Sequence, residues 1–146
     1  MGYYMRFIGV DERTVSVADL QSAVDSSGGG SRVEGHGGHA VVTTHGAPIG
    51  EVTINLPGDG LFEDEVAELI EFAEDASGRG KKAVLKALRG ARTIVAVQVL
   101  DGAGPISDSL DALDPIWTWL VENRDGLVQA DGEGYYKGRR LLLRVQ

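Results

Sequence analysis

Residues 93–100, "TIVAVQVL", form a nearly unbroken apolar run rich in β-branched side chains. A strand tolerates apolar residues at consecutive positions only when it is shielded from water, so this segment is expected to be a buried central strand. Whatever else the chain does, it must build a sheet around these residues. With 146 residues the chain suits one domain (1–146) burying roughly two thirds of its unfolded surface, with candidate halves 1–90 and 91–146.

The remaining elements follow from periodicity. "YYMRFIGV" reads as a strand with Tyr3, Met5 and Phe7 on one face and Tyr4, Arg6 and Ile8 on the other. Ser16 suits a helix cap, Asp19 falls at the third helical position, and Val17, Leu20 and Val24 make the stripe. Short strands with glycine turns follow: His45–Ile49 is one reversal and Glu51–Leu56 alternates as a strand. The spacing of Phe62, Val66, Leu69, Ile70 and Ala73 predicts a helix over 61–76 with Asp59 as its cap. "KKAVLKALRGA" is a second helix, with Val84, Leu85 and Leu88 facing inwards. Leu110, Leu113, Trp117, Leu120 and Val121 stripe a further one, which Pro115 either kinks or restarts. "LVQA", "GYY" and "RRLLLRV" supply the last strands.

The resulting order is β-α-β-β-β-α-α followed by β-α-β-β-β. It predicts an α+β fold, an antiparallel sheet with helices packed on it, in which two β-α-β-β-β units form a candidate pseudo-repeat. This tandem strand–helix–meander order resembles that of GyrI-like ligand-binding domains. The resemblance lies in element order and carries no residue across.

Composition narrows the functions. Glycine makes up 21 of 146 residues, about twice the usual ~7%, and it is scattered among periodic segments, which suggests many tight turns rather than disorder. A net charge of −8 argues against nucleic acid and anionic membrane as partners and favours a basic protein. Without cysteine there are no disulfides, thiolate sites or thiol nucleophiles. We see no signal peptide, membrane span or myristoylation pattern, so the expected location is cytoplasmic. No cofactor is expected, and no G-x-S-x-G occurs to support serine catalysis.

Several clusters invite a chemical reading. "GLVQADGEGYY" (126–136) crowds Gln129, Asp131 and Glu133 together, but Asp131–Gly132 is a strong hairpin signal. A two-residue type I′ loop would pair Ala130 with Glu133 and Val128 with Tyr135. Val128, Ala130, Glu133 and Tyr135 would then share one face, and Leu127, Gln129 and Tyr136 the other. Asp131 would serve only the turn, apart from Gln129. The three histidines fall at 36, 39 and 45. On one strand His39 and His45 would lie ~20 Å apart, too far for one ion, which leaves His36 and His39 with Glu34 as the only metal candidates, weak beside a solvated loop. The carboxylates of helix 61–76 suit its dipole and a solvated face. "SGRGKK" departs from the phosphate-loop pattern, and pairing of the basic helix with the acidic one is the plainer account.

Doubled aromatics remain. Trp117 continues the buried stripe, while Trp119 lies about 200° around the helix and is expected to be partly exposed. Tyr3/Tyr4 and Tyr135/Tyr136 put aromatic surface on both sheet faces, which marks either an interface or a packed two-faced sheet. The leading expectation is a non-catalytic binding protein with an acidic and aromatic surface of Trp119, Tyr4, Tyr135, Glu133 and Gln129. An immunity-type inhibitor of a basic partner would fit this description. The alternative is a small-molecule sensor with an apolar pocket around Trp117–Val121, oriented by Gln129 or Glu133. An enzyme using His36 and His39 comes third.

Overall fold

In the computed structural model, which describes residues 3–101 and 104–145, the apolar run becomes a central strand of one eight-stranded antiparallel sheet. The elements in chain order are β1 (Tyr3–Gly9), α1 (Val17–Ser26), β2 (Ser31–His36), β3 (His39–Thr44), β4 (Ala47–Asn55) and α2 (Leu61–Asp75). They continue with α3 (Lys81–Arg89), β5 (Thr93–Val99), α4 (Ile106–Asn123), β6 (Gly126–Ala130), β7 (Gly134–Lys137) and β8 (Arg140–Arg144). Across the sheet the order is β2-β3-β4-β5-β1-β6-β7-β8. This is the α+β fold that the periodicity predicts.

The sequence strand–helix–three strands occurs twice, as β1-α1-β2-β3-β4 and as β5-α4-β6-β7-β8. The two meanders run in opposite senses. β2 lies at a sheet edge and β4 beside β5, whereas β6 lies beside β1 and β8 at the far edge. Since β5 and β6 are each antiparallel to β1, they are parallel to one another, and α4 is the crossover that joins them.

Side-chain alternation along β1 and β5 feeds two cores. Phe7, Val95 and Val97 pack with Leu20, Leu113 and Leu120 beneath α1 and α4. Ile8, Ile94 and Ala96 pack with Leu69, Val84 and Leu88 beneath α2 and α3. The second core draws none of its described residues from β2, β3 or β4, so that half of the sheet is left uncovered on the α2 side.

Local chemistry sets the helix ends. At α1, Ser16 Oγ accepts from the Asp19 N–H at 3.1 Å and Asp19 Oδ2 accepts from the Ser16 N–H at 3.0 Å, a capping box worth about 1 kcal/mol. At α2 the capping position is Gly60 (φ 82°), not Asp59 as expected. Asp59 still caps from one residue further out, accepting from the Phe62 N–H at 2.7 Å. α4 runs unbroken through Pro115. A mid-helix proline costs about 3 kcal/mol. Burial of Leu113, Ile116, Trp117 and Leu120, at ~1.5–3 kcal/mol for a typical large apolar side chain, outweighs it. The stripe centres on these four residues, and Val121 falls roughly 90° from their mean direction at 100° per residue. Val121, expected inside, is 40% exposed. The reversal expected over His45–Ile49 is tighter: His45 and Gly46 make the turn, with φ of 51° and 82°, and β4 begins at Ala47.

The β6–β7 hairpin departs most from expectation. Val128 pairs with Tyr136, Gln129 with Tyr135 and Ala130 with Gly134, leaving Asp131, Gly132 and Glu133 in a three-residue loop. The Glu133 N–H donates to the Ala130 carbonyl at 3.1 Å, and Gly132 (φ 75°) has positive φ whereas Asp131 does not. That pattern suits a type II turn rather than type I′. The neighbouring chain holds it there: the Asp131 N–H donates to the Tyr4 carbonyl at 3.0 Å and the Val145 N–H to the Glu133 carbonyl at 3.2 Å. A slip of one residue exchanges faces. Tyr135 joins Gln129 on the α2 side, and Tyr136 joins Val128 on the α4 side.

Two outcomes are expected. Gly132→Ala meets open space and should cost only its left-handed strain, about 1–2 kcal/mol, whereas a Cβ at Gly134 would collide with the Leu143 carbonyl of β8. In urea melts Gly134→Ala should therefore lose clearly more stability; equal losses would contradict this strand packing. Trp117 is 7% exposed and Trp119 only partly buried, so acrylamide should quench Trp119 in Trp117→Phe more than Trp117 in Trp119→Phe.

Candidate functional site

Arg6 stands mid-strand in β1 with its side chain only 15% exposed. A charge so placed costs several kcal/mol unless it is paired and hydrogen-bonded. Register supplies one partner, because Gln129 of β6 lies directly opposite Arg6. Nη1 donates to Gln129 Oε1 at 2.8 Å and to Asp131 Oδ1 at 3.0 Å, and Gln129 Nε2 donates to the same Asp131 oxygen at 3.1 Å. Asp131 was expected to serve the turn alone. The slipped register instead brings it onto the Gln129 side of the sheet, where Arg6 holds it.

α2 closes the other side. Glu65 Oε2 lies 3.6 Å from Arg6 Nε, an ion pair longer than a hydrogen bond. Burial pushes the Glu65 carboxyl above its ordinary range, and the Arg6 charge opposes that shift without cancelling it. Glu65, read from sequence as part of a solvated face, is thus half-buried at the site. Arg6 Nε and Glu65 Oε1 are both shielded from solvent without a hydrogen-bond partner. The guanidinium lies 5.3 Å from the centre of the Tyr4 ring, a cation–π distance. Tyr135, buried beside this cluster, has its phenol pushed up by burial first and by the Asp131 charge, with Arg6 opposing.

These side chains floor a cleft of about 660 Å³ where the α2–α3 layer ends and the uncovered half of the sheet begins. Thr53 and Asn55 of β4 reach it from the open side. Leu61 and Phe72 of α2, 65% and 54% exposed, form an apolar lip. Four carboxylates, Asp64, Glu65, Glu68 and Asp131, line it against one cation, Arg6. The cleft is strongly acidic, with an aromatic floor.

Of the residues singled out in the sequence, Tyr4, Gln129 and Tyr135 meet here. Trp117, Trp119 and Glu133 do not. Trp119 belongs to α4, packs against the opposite core, and lies 4.9 Å below the Arg124 guanidinium. Glu133 also turns to the α4 side, accepting from the Tyr3 and Tyr136 hydroxyls at 2.8 Å each. The sheet therefore divides the expected aromatic surface in two. Beside Trp117 lies a hollow of about 420 Å³ between α4 and the sheet, with Glu133 on its wall and Gln129 on the far side of the sheet. His36 and His39 do face each other across the Gly37–Gly38 turn, but His39 Nε2 bonds Glu51 at 2.9 Å, and no group of three potential ligands able to hold an ion occurs among the described residues. The acidic and basic helices are linked by Arg89 and Glu74 at 3.8 Å, both well exposed.

Arg6, Asp131 and the α2 carboxylates were missed. The signal was a lone arginine alternating with Tyr4 and Ile8 on one face of an apolar strand, since such a charge demands partners. Comparison with protein-family models, curated proteins and solved structures found no match to this chain. None of these comparisons supports the GyrI-like resemblance in element order. Among the described residues no helix is long and apolar enough to cross a membrane.

The raised Glu65 pKa has a signed consequence. The fold favours the protonated carboxyl, so stability falls as pH rises from the ordinary value of 4.5 through the higher folded value. Glu65→Gln removes that ionisation. Its stability relative to the parent should therefore increase between pH 4 and pH 7 in paired urea melts. A difference that stays constant or decreases would contradict the burial of this carboxyl.

Proposed function

We propose that this is a non-catalytic binding protein that receives a basic group of its partner in the acidic cleft. The observation that carries this reading is the excess of four carboxylates over one arginine in a cleft with an exposed apolar lip. Arg6 is already engaged by Gln129, Asp131 and Glu65, which leaves Asp64 and Glu68 to meet an incoming cation. An arginine or lysine side chain matches such a surface. Its stem can lie along Leu61 and Phe72 while its head meets the α2 carboxylates. The overall charge of −8 adds long-range steering towards a basic protein. An inhibitor of the immunity type, covering the basic working surface of another protein, is the form of partner binding that fits best.

Benzamidine, a planar cation on an apolar ring, mimics the arginine head, and benzoate is its anionic counterpart. Calorimetric or NMR titration should show saturable benzamidine binding that weakens with salt. It should also fall by about three- to tenfold in an Asp64→Asn/Glu68→Gln variant, as expected for two surface charges. Benzoate binding as well as benzamidine, or an unaffected double variant, would overturn the reading.

A further inference from the structure

We propose that a second copy of this chain docks on the outer face of the α2–α3 layer, each acidic helix lying over the partner's basic one. The two helices sort charge by sign. Leu61–Asp75 holds seven carboxylates and no cation, and Lys81–Arg89 holds four cations and no carboxylate. Helical spacing gathers Asp64, Glu68, Glu71 and Asp75 into one exposed row on α2, and Lys82, Lys86 and Arg89 into another on α3. Phe62, Leu69 and Ala73, with Val84 and Leu88, take the buried faces, so both rows look away from the sheet. Pairing within the chain does not consume these charges, although the sequence suggested that it would. The one ion pair between the helices among the described residues is Arg89–Glu74, at 3.8 Å and well exposed. The other members of both rows form no ion pair with any described residue.

The order of signs selects the occupant. A polyanion laid along α3 would meet the carboxylates of α2 beside it, and a polycation laid along α2 would meet the lysines. The surface that fits carries both signs side by side, as this layer itself does. A two-fold axis that lies in the interface and bisects the directions of α2 and α3 exchanges those directions. Both acidic rows then meet basic rows in one isologous contact. The net charge of −8 repels at long range, where salt screens it beyond ~8 Å, whereas the paired rows act at contact. Asp64 and Glu68 also line the cleft, but Glu71 and Asp75 do not, which lets the two surfaces be probed separately.

Sedimentation equilibrium of the full chain should show a dimer with a dissociation constant on the order of 100 µM, as expected for a small contact built on surface ion pairs. Glu71→Lys/Asp75→Lys and Lys82→Glu/Lys86→Glu, each alone, set like charges against like and should weaken it by about tenfold or more. All four positions are exposed, so the fold should persist in both variants. Mixed in equal amounts, the two variants restore opposite rows on both sides of the axis. They should form a heterodimer about as tight as the parent dimer, although each variant remains net acidic. The proposal is overturned if the parent stays monomeric at about 1 mM, if either variant dimerises as the parent does, or if mixing leaves both monomeric. Benzamidine titration of the parent separates this surface from the cleft. Saturable binding by a chain that does not dimerise would overturn the dimer alone, and dimerisation without benzamidine binding would overturn the cleft reading alone.

Discussion

A guanidinium in the middle of a central strand governs the α2 side of this molecule. Within β1 and β5, the two innermost strands, Arg6 is the one charged side chain. Apolar packing cannot satisfy it, so each neighbouring element contributes a partner: Gln129 from β6, Asp131 from the turn beyond it, Glu65 from α2, and the Tyr4 ring from β1 itself. The cleft and its acidity both follow. A layer of helix closed tightly over Arg6 would strand the charge, whereas a layer that stops short leaves it polar company and an opening. Pairing of this kind does little for stability, since desolvation offsets most of the attraction. Its cost makes the arrangement informative about binding.

Much of the architecture was legible because it rests on local periodicity. The α1 capping box, the stripes of α2 and α3, and the buried β5 are properties of short segments, and the structure reproduces them. The hairpin register was not legible. Asp131–Gly132 does favour a two-residue loop when the neighbouring chain is left out of account. Here bonds from Asp131 to β1 and from Val145 to Glu133 hold the loop one residue longer. That single slip moved Tyr135 and Tyr136 to opposite sides and made Asp131 a partner of Arg6. The site was less legible than the fold because its members are far apart in the chain, Arg6 lying 125 residues from Asp131.

The sheet order also explains why two readings of function can coexist. Helices flank both faces of β5 and β1, and each layer leaves a hollow near the β6–β7 end. One hollow is acidic, and the other is walled mainly by apolar side chains. A sequence reading that pooled the aromatics into one surface combined residues that the sheet keeps apart.

The loop of Asp131, Gly132 and Glu133 joins those hollows, with its two acids anchored on opposite faces. Its length is consequently under a constraint that most surface loops escape. Hairpin loops ordinarily absorb insertions, because a longer connection adds little closure entropy. Here one added residue would either detach an acid from its anchor or slide β7 along β6. Sliding would send Tyr135 and Tyr136 each to the wrong core. Among related chains, then, length variation should concentrate in the other turns and leave this one at three residues.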